Sequence, residues 1–420
     1  MRRKKKSRRV ANKNKEPLWK GPAVDGITFS LLVKFLECRE RFRLKVVEGL
    51  EEDEGFNLAL EFGSMWHEAE EHYAANPIAS GRKYSRPKVK NPPWLKGMQK
   101  YRDKLRAKYS AEMEINKCYQ IARYTFPEYL RHWRHHPTER KRKPILEEKA
   151  FAVPYQLPSG RTLILRGKWD AIFYPRRNEI LTQENKTKGN IDVQGIQGTV
   201  AQNLQTVLYQ IALRTVAHRP TISKGLGIPI KKPFSKQIKG VLYNVVRRPL
   251  ADMHAIKQRK GRGKARVGAE TEKQFYQRMA SDIRKDPEYY FMRWEVLLYP
   301  KDIERFKLRV FNPILEQLMD WWEWIKVDPF DPWRDRTYRE LWKDGKDLKL
   351  VGSGNVPSKL ADELIEAAGD QIDQNRIHYQ APWGVYNSLA SGWRGSYFNF
   401  LTKGSTVGLR KIKTLYPELE

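Results

Sequence analysis

At 420 residues, with 40% apolar and 12% aromatic side chains, the chain can build two or more compact units or one core with large insertions. Its 80 Lys and Arg against 49 Asp and Glu leave a net charge of +31, which suits a polyanion bound through phosphate contacts and counterion release; a ribosome-associated or membrane-surface protein is the other reading of such a surplus. Two cysteines, Cys38 and Cys118, exclude a disulfide framework and a four-cysteine metal site and point to a reducing, cytoplasmic setting, and no run of about 18 apolar residues offers a membrane span.

The basic start, Met1 to Arg9, has no apolar stretch behind it, so a solvated arm over residues 1–20 is expected rather than a secretory signal. Thr28 and Ser30 offer caps to a helix from Leu31 to about Val47, whose Leu32, Phe35, Leu36 and Cys38 share one apolar side, with Phe42 a turn further on. A second helix is expected from Leu58 to Ala75 and carries Gly63, His67 and Glu71. The stretch from Pro77 to Lys100, rich in Pro, Lys and Arg, reads as a surface loop, and Met113 to His135 as a helix. From Ile145 the period changes. Phe151 to Tyr155, Thr162 to Tyr174 and Glu179 to Glu184 read as strands, the last two joined by a turn at Pro175-Arg176-Arg177-Asn178.

An amphipathic helix is expected from Val200 to Ala217, with Leu204, Val207, Leu208, Ile211 and Ala212 as its apolar side. Gly240 to Val246 has strand length and apolarity. Lys257 to Arg266 is almost entirely basic or Gly, a mobile loop or a phosphate-contacting one through Lys257, Arg259, Lys260, Arg262, Lys264 and Arg266. A strand from Phe291 to Tyr299 and a long helix from Asp302 to Trp324 follow. Seven of the 13 tryptophans lie from Trp321 onward, so this end packs a small core of its own or docks on the main one. The expected organisation is the arm, a core over 21–326 and an aromatic-rich C-terminal segment over 327–420.

Glu184-Asn185-Lys186 is the chemical centre of the sequence. On a strand, residues two apart point the same way, so Glu184 and Lys186 face one site while Asn185 offers its backbone carbonyl. Asp170, on the preceding strand, reaches the same place across the hairpin. Two carboxylates at one spot repel each other unless a hard cation joins them, and Mg²⁺ or Mn²⁺ suits oxygen ligands. A lysine beside that cation activates water or stabilises charge on a phosphorane. Other acid-x-Lys triplets, such as Glu147-Glu148-Lys149, Asp344-Gly345-Lys346 and Asp347-Leu348-Lys349, lack this setting and read as solvated charge pairs. His132, His135 and His136 lie among arginines with no acid or Cys nearby, and read as structural.

The motifs in order carry a resemblance. Gly63-Ser64-Met65-Trp66-His67-Glu68-Ala69-Glu70-Glu71 resembles the G-x-x-x-H-x-x-x-E helix of the RecB-like branch of PD-(D/E)XK nucleases. Leu165-Arg166-Gly167-Lys168-Trp169-Asp170 is similar to its G-x-x-D strand, Glu184-Asn185-Lys186-Thr187-Lys188 to its D-x-K-T strand, and Gln205-Thr206-Val207-Leu208-Tyr209 to its Q-x-x-x-Y helix. Ser30 to Phe42 resembles the opening helix of that family. The resemblance implies a restriction-endonuclease-like α/β fold, a mixed central sheet flanked by helices with helical and aromatic-rich C-terminal additions. It also implies metal ligation by His67, Asp170, Glu184 and the Asn185 carbonyl, with Lys186 as the catalytic lysine. Gln205 and Tyr209 would orient that lysine or a substrate phosphate, and Glu71 would support His67.

Many members of that branch hold an iron–sulfur cluster through one Cys in the first helix and three near the C-terminus. Here Cys38 stands at the first position, but His378 to Gly404 contains no Cys, so no such cluster is expected. Packing of Trp383, Trp393, Tyr397 and Phe400 would take its place. The implied activity is Mg²⁺- or Mn²⁺-dependent hydrolysis of DNA, as an exonuclease on single strands or duplex ends or as a structure-selective endonuclease. A non-catalytic nucleic-acid-binding protein on the same fold is the rival. No P-loop is present, so a helicase or recombination partner would be a separate protein, in a bacterial or phage setting.

Overall fold

A computed structural model describes residues 17–37, 39–52, 55–74, 91–134, 136, 143–176, 179–193, 200, 203–219, 235–249, 270–327, 409–412 and 415–416. In chain order these form α1 (Phe29–Glu37), α2 (Arg39–Phe42), a π-helical turn (Arg43–Val47), β1 (Leu50–Glu52), α3 (Leu58–Ala74), α4 (Pro93–Lys108) and α5 (Glu112–Arg134). Then come β2 (Lys143–Gln156), β3 (Thr162–Tyr174), β4 (Ile180–Lys188), α6 (Leu204–His218), β5 (Ile238–Arg247), α7 (Glu272–Lys285), α8 (Pro287–Tyr290) and β6 (Phe291–Leu297). Helix α9 (Pro300–Phe306), a second π-helical turn (Lys307–Phe311), α10 (Asn312–Val327) and β7 (Leu409–Lys411) complete the order. Among the described residues, no helix is long and apolar enough to cross a membrane.

The chain divides into two compact units. One is drawn from the stretches Met1–Asp53, Gln156–Ile164 and Ile314–Glu420, the other from Glu54–Tyr155 and Leu165–Pro313. The first is built on aromatic edges. Trp19 meets Phe42 and Trp322 at centroid distances of 5.2 and 4.9 Å, and Trp321 meets Phe35 and Phe42 at 5.5 and 5.4 Å, all near T-shaped, the geometry that the ring quadrupole favours. The Trp19 Nε1–H and the Tyr416 hydroxyl both donate to the Gly26 carbonyl. In the same unit β1 pairs antiparallel with β7, and Arg161 bridges Glu316 and Asp320.

The second unit carries a five-stranded sheet in the order β2-β3-β4-β5-β6. Strands β3 and β4 pair antiparallel, β4 and β5 parallel, and β5 and β6 antiparallel. A parallel pair needs a crossover, and α6 lies in the connection between β4 and β5. The expected α/β architecture, a mixed sheet flanked by helices, is therefore what the chain adopts. The main core of this unit gathers Phe62, Met65 and Trp66 of α3, Trp94 and Met98 of α4, Ile115, Cys118 and Phe126 of α5, and Phe275 and Tyr276 of α7.

Several expected elements differ in detail. Residues 93–100, expected in a surface loop, open α4. Pro93 sits in its first turn, where a missing N–H costs nothing, and Trp94, Leu95 and Met98 turn inward. Helix α7 was not anticipated, although its Thr271–Gln274 capping box closes in the structure. The opening helix and the helix expected over Asp302–Trp324 are each interrupted by a π turn. The basic arm, Cys38, the Lys257–Arg266 loop, and Trp383, Trp393, Tyr397 and Phe400 lie outside the described residues.

Candidate active site

Strand β4 delivers two of the expected side chains to one place. Lys186 Nζ lies 2.6 Å from Glu184 Oε1 and donates to Gln205 Oε1 at 2.7 Å, while Gln205 Nε2 donates to Glu184 Oε1 at 2.7 Å. The three side chains close a ring. Gln205 is placed by the start of α6, where the Asn203 side chain accepts from the Gln205 and Thr206 N–H groups. Further along α6, Gln210 Nε2 donates to Thr182 Oγ1 at 2.7 Å and to the Gly240 carbonyl at 3.0 Å, pinning the helix to β4 and β5.

Beyond the paired stretch Ala171–Phe173 of β3, the Asp170 carboxylate accepts the Asn185 N–H at 2.6 Å. Helix α3 supplies the imidazole. A Cβ at Gly63 would stand 2.9 Å from Thr187 Oγ1, so only glycine lets α3 lie this close to the end of β4. One turn later His67 offers a ring nitrogen to a group with carboxylate oxygens of Glu148 and Asp170, all within 4.8 Å of one another. Gly167 plays the matching part on β3. Its Cβ would lie 2.7 Å from Phe151 Cζ and 2.8 Å from Tyr209 Cε1, which makes room for the Tyr209 ring beside the site.

Glu148 was read from the sequence as part of a solvated charge pair. The structure corrects this: its side chain is 8% exposed and joins the site. Among the described non-glycine residues it alone has positive φ, 49°, in the middle of β2. A left-handed residue inside a strand breaks the alternation of side chains, so periodicity along β2 gave no signal for it. Glu71, expected to support His67, instead pairs with Lys168, whose Nζ is 2.9 Å from Glu71 Oε2 and 3.0 Å from Glu148 Oε2.

Burial sets the protonation of the group. It drives the His67 imidazole down to about 4, helped by Lys186, so the ring is neutral with a lone pair to offer. It raises Asp170 to about 6, against the Asn185 N–H and the lysines, and raises Glu148 and Glu184 as well. Burial disfavours the Lys186 ammonium, but Glu184 outweighs it and the pKa lies above the usual lysine value. Glu70, buried and facing the charge of Asp170, is raised to about 8.

These donors fit a divalent cation. Mg²⁺ or Mn²⁺ takes oxygen and nitrogen donors that stand a few ångströms (roughly 3–4 Å) from one another, and His67, Glu148 and Asp170 bring theirs within 4.8 Å. Burial raises these carboxyls, which a cation's charge would offset, and a neutral imidazole beside them is a competent ligand. His67, Asp170, Glu184, Lys186, Gln205 and Tyr209, expected together, are brought together. Asn185 contributes its N–H to Asp170, while its side chain turns to the other side of β4. There Asn185 Oδ1 accepts from Asn244 Nδ2 at 2.8 Å, and Asn244 Oδ1 accepts from Arg293 Nε at 2.8 Å. The three residues occupy one rung across β4, β5 and β6. Asn244 and Arg293 both donate to the Tyr129 hydroxyl, which donates to Glu70 Oε1 at 3.1 Å. His132 and His136 pack their rings on Trp133, and His135 lies outside the described residues.

The model of one protein family, the PD-(D/E)XK nuclease superfamily, matches residues 27–298. Among curated proteins, none matches the chain.

Proposed function

This chain belongs to the PD-(D/E)XK nuclease superfamily, and from that premise we propose that it is a divalent-metal-dependent deoxyribonuclease, an exonuclease of the RecB-like kind acting in recombination, repair or phage DNA metabolism. The observation that carries the reading is the convergence of a neutral imidazole, three carboxylates and a charged lysine: His67, Glu148, Asp170, Glu184 and Lys186. A binding protein has no need to gather buried like charges at this cost.

His67, Glu148, Asp170 and Glu184, with the Asn185 carbonyl, would hold Mg²⁺ or Mn²⁺. When bound, the ion supplies a Lewis acid for a phosphoryl oxygen and lowers the pKa of a water. Lys186, kept charged by Glu184, holds its proton at Nζ and donates it in a hydrogen bond to a phosphate oxygen as negative charge develops there. Gln205 fixes the lysine through the 2.7 Å contact to its Nζ. Tyr209 encloses the site next to Phe151. The loop Lys257, Arg259, Lys260, Arg262, Lys264 and Arg266 would hold the substrate backbone, on the strength of its charge.

Lys186→Ala tests the chemistry. Cleavage in Mg²⁺ or Mn²⁺ is expected to fall by at least about 10³-fold, with DNA binding in Ca²⁺ unchanged. End-labelled linear, circular and single-stranded DNA assayed side by side separate an exonuclease from an endonuclease, since only the latter opens circles. Wild-type protein that cleaves neither DNA nor RNA in either metal would refute the reading.

A further inference from the structure

Lys168 takes no part in the arrangement that the family motifs imply, yet its ammonium stands inside the site. Its Nζ is 2.9 Å from Glu71 Oε2 and 3.0 Å from Glu148 Oε2, so it bridges two carboxylates as a cation would. The Glu148 arm is the consequential one, because the Lys168 and Glu148 side chains are 26% and 8% exposed. An ion pair in such a place is poorly screened and cannot be dismissed as a solvated surface pair.

Resting on the reading that this site takes a divalent ion, we infer that Lys168 is a built-in cation that occupies the place of a second metal, leaving the centre mononuclear. Two-metal phosphodiester sites set their ions about 3.5–4 Å apart between shared carboxylates. Here Glu148 is the shared carboxylate. It is grouped with His67 and Asp170 and is also in contact with Lys168. The charges then balance. Glu71, Glu148, Asp170 and Glu184 bring four negative charges, and Lys168 and Lys186 bring two positive ones. One divalent ion supplies the remaining two. A second ion would leave the pocket with excess positive charge and would have to displace an ammonium held by two carboxylates. The four carboxylates counted are those in contact with Lys168, Lys186 or the Asn185 N–H; Glu70, held by the Tyr129 hydroxyl, is not one of these.

Lys168→Met keeps the apolar stem but ends one atom short of Nζ, which empties a place flanked by Glu71 and Glu148. Full-length wild-type and K168M proteins, stripped of metal, are titrated with Mn²⁺ and read by calorimetry and electron paramagnetic resonance. One Mn²⁺ per chain with an isolated six-line signal is expected for wild type. K168M is expected to take up two and to show the exchange-coupled signal of a close pair. A coupled pair in wild type, or a single ion in K168M, overturns the inference while leaving the nuclease reading intact. If wild type takes up no Mn²⁺, the metal-dependent reading fails and this inference with it. Should K168M not fold, the wild-type spectrum alone decides: a coupled pair refutes and an isolated ion supports.

Discussion

Glu148 offers a way to weigh what the site costs the fold. Its φ of 49° places an L-residue in the left-handed region, at about 1–2 kcal/mol. Replacing it by Gly or by Ala removes the same carboxylate, so the difference between the two variants isolates the backbone. In an ordinary strand Ala is the better residue by about 0.5–1 kcal/mol, because Gly loses more freedom on folding. At positive φ the strain on Ala exceeds that penalty, and Glu148→Gly should be the more stable variant by about 0.5–1 kcal/mol. Urea denaturation of the metal-free proteins, followed by tryptophan fluorescence and compared at equal m-value, reads the difference. An Ala variant as stable as the Gly variant, or more so, would refute the left-handed conformation and the account of how this carboxylate reaches the site. Neither variant should recover wild-type stabilisation by Mn²⁺.

Glu70 should make the metal-free protein pH-sensitive. Its folded pKa of about 8 lies above the ordinary glutamate value of 4.5, so the folded state binds more protons in that window. Stability is then full below about 4.5 and falls as pH rises towards 8. Glu70→Gln, which keeps an acceptor for Tyr129, should flatten that slope in denaturation curves taken between pH 5 and 9 (roughly the window of the linkage), and an unchanged slope would count against the assignment. Gly63→Ala should push α3 off β4, costing about 1–3 kcal/mol and most of the activity. Thr187→Ala removes the hydroxyl that the new Cβ meets, so the double variant should recover both, and simple additivity would show that the contact is not the cause. Asn244→Leu should cost about 2–4 kcal/mol by stripping partners from Asn185 and Arg293, measurable by thermal unfolding; a cost near zero would mean that the rung is wet.

The sheet and the site were legible to different degrees, for physical reasons. Glu184 and Lys186 could be placed together because a strand repeats every two residues, and Gln205 through the Q-x-x-x-Y pattern of its helix; the Asn203 cap that starts that helix was visible only in the structure. Gly63 and Gly167 were visible only as letters of motifs; the structure gives each a steric reason, Thr187 for one and Tyr209 with Phe151 for the other. Glu148 and Lys168 escaped. One sits where the strand period is broken, and the other looks like any lysine until its two acidic neighbours from α3 and β2 are known. Helix α7 carried a readable signal, Thr271 to Gln274 followed by Phe275, Tyr276, Met279 and Ile283, that was passed over in a basic region. Pro93 reads as a loop former, yet proline also begins helices, as it does at the start of α4.

The rung of Asn185, Asn244 and Arg293 also bears on how the sheet comes to be built correctly. Strand β5 is otherwise rich in Val and Leu, and a purely aliphatic pair of parallel strands can slide by two residues with modest loss, since every side chain stays on its own face. Here such a slip would break the hydrogen bond between two buried amides, Asn185 and Asn244, a penalty of about 1–3 kcal/mol. The polar rung therefore selects one alignment of β4 on β5 from those that burial alone would accept. Because Gln210 ties α6 to Thr182 on one strand and to Gly240 on the other, choosing that alignment also sets Glu184 and Lys186 against Gln205.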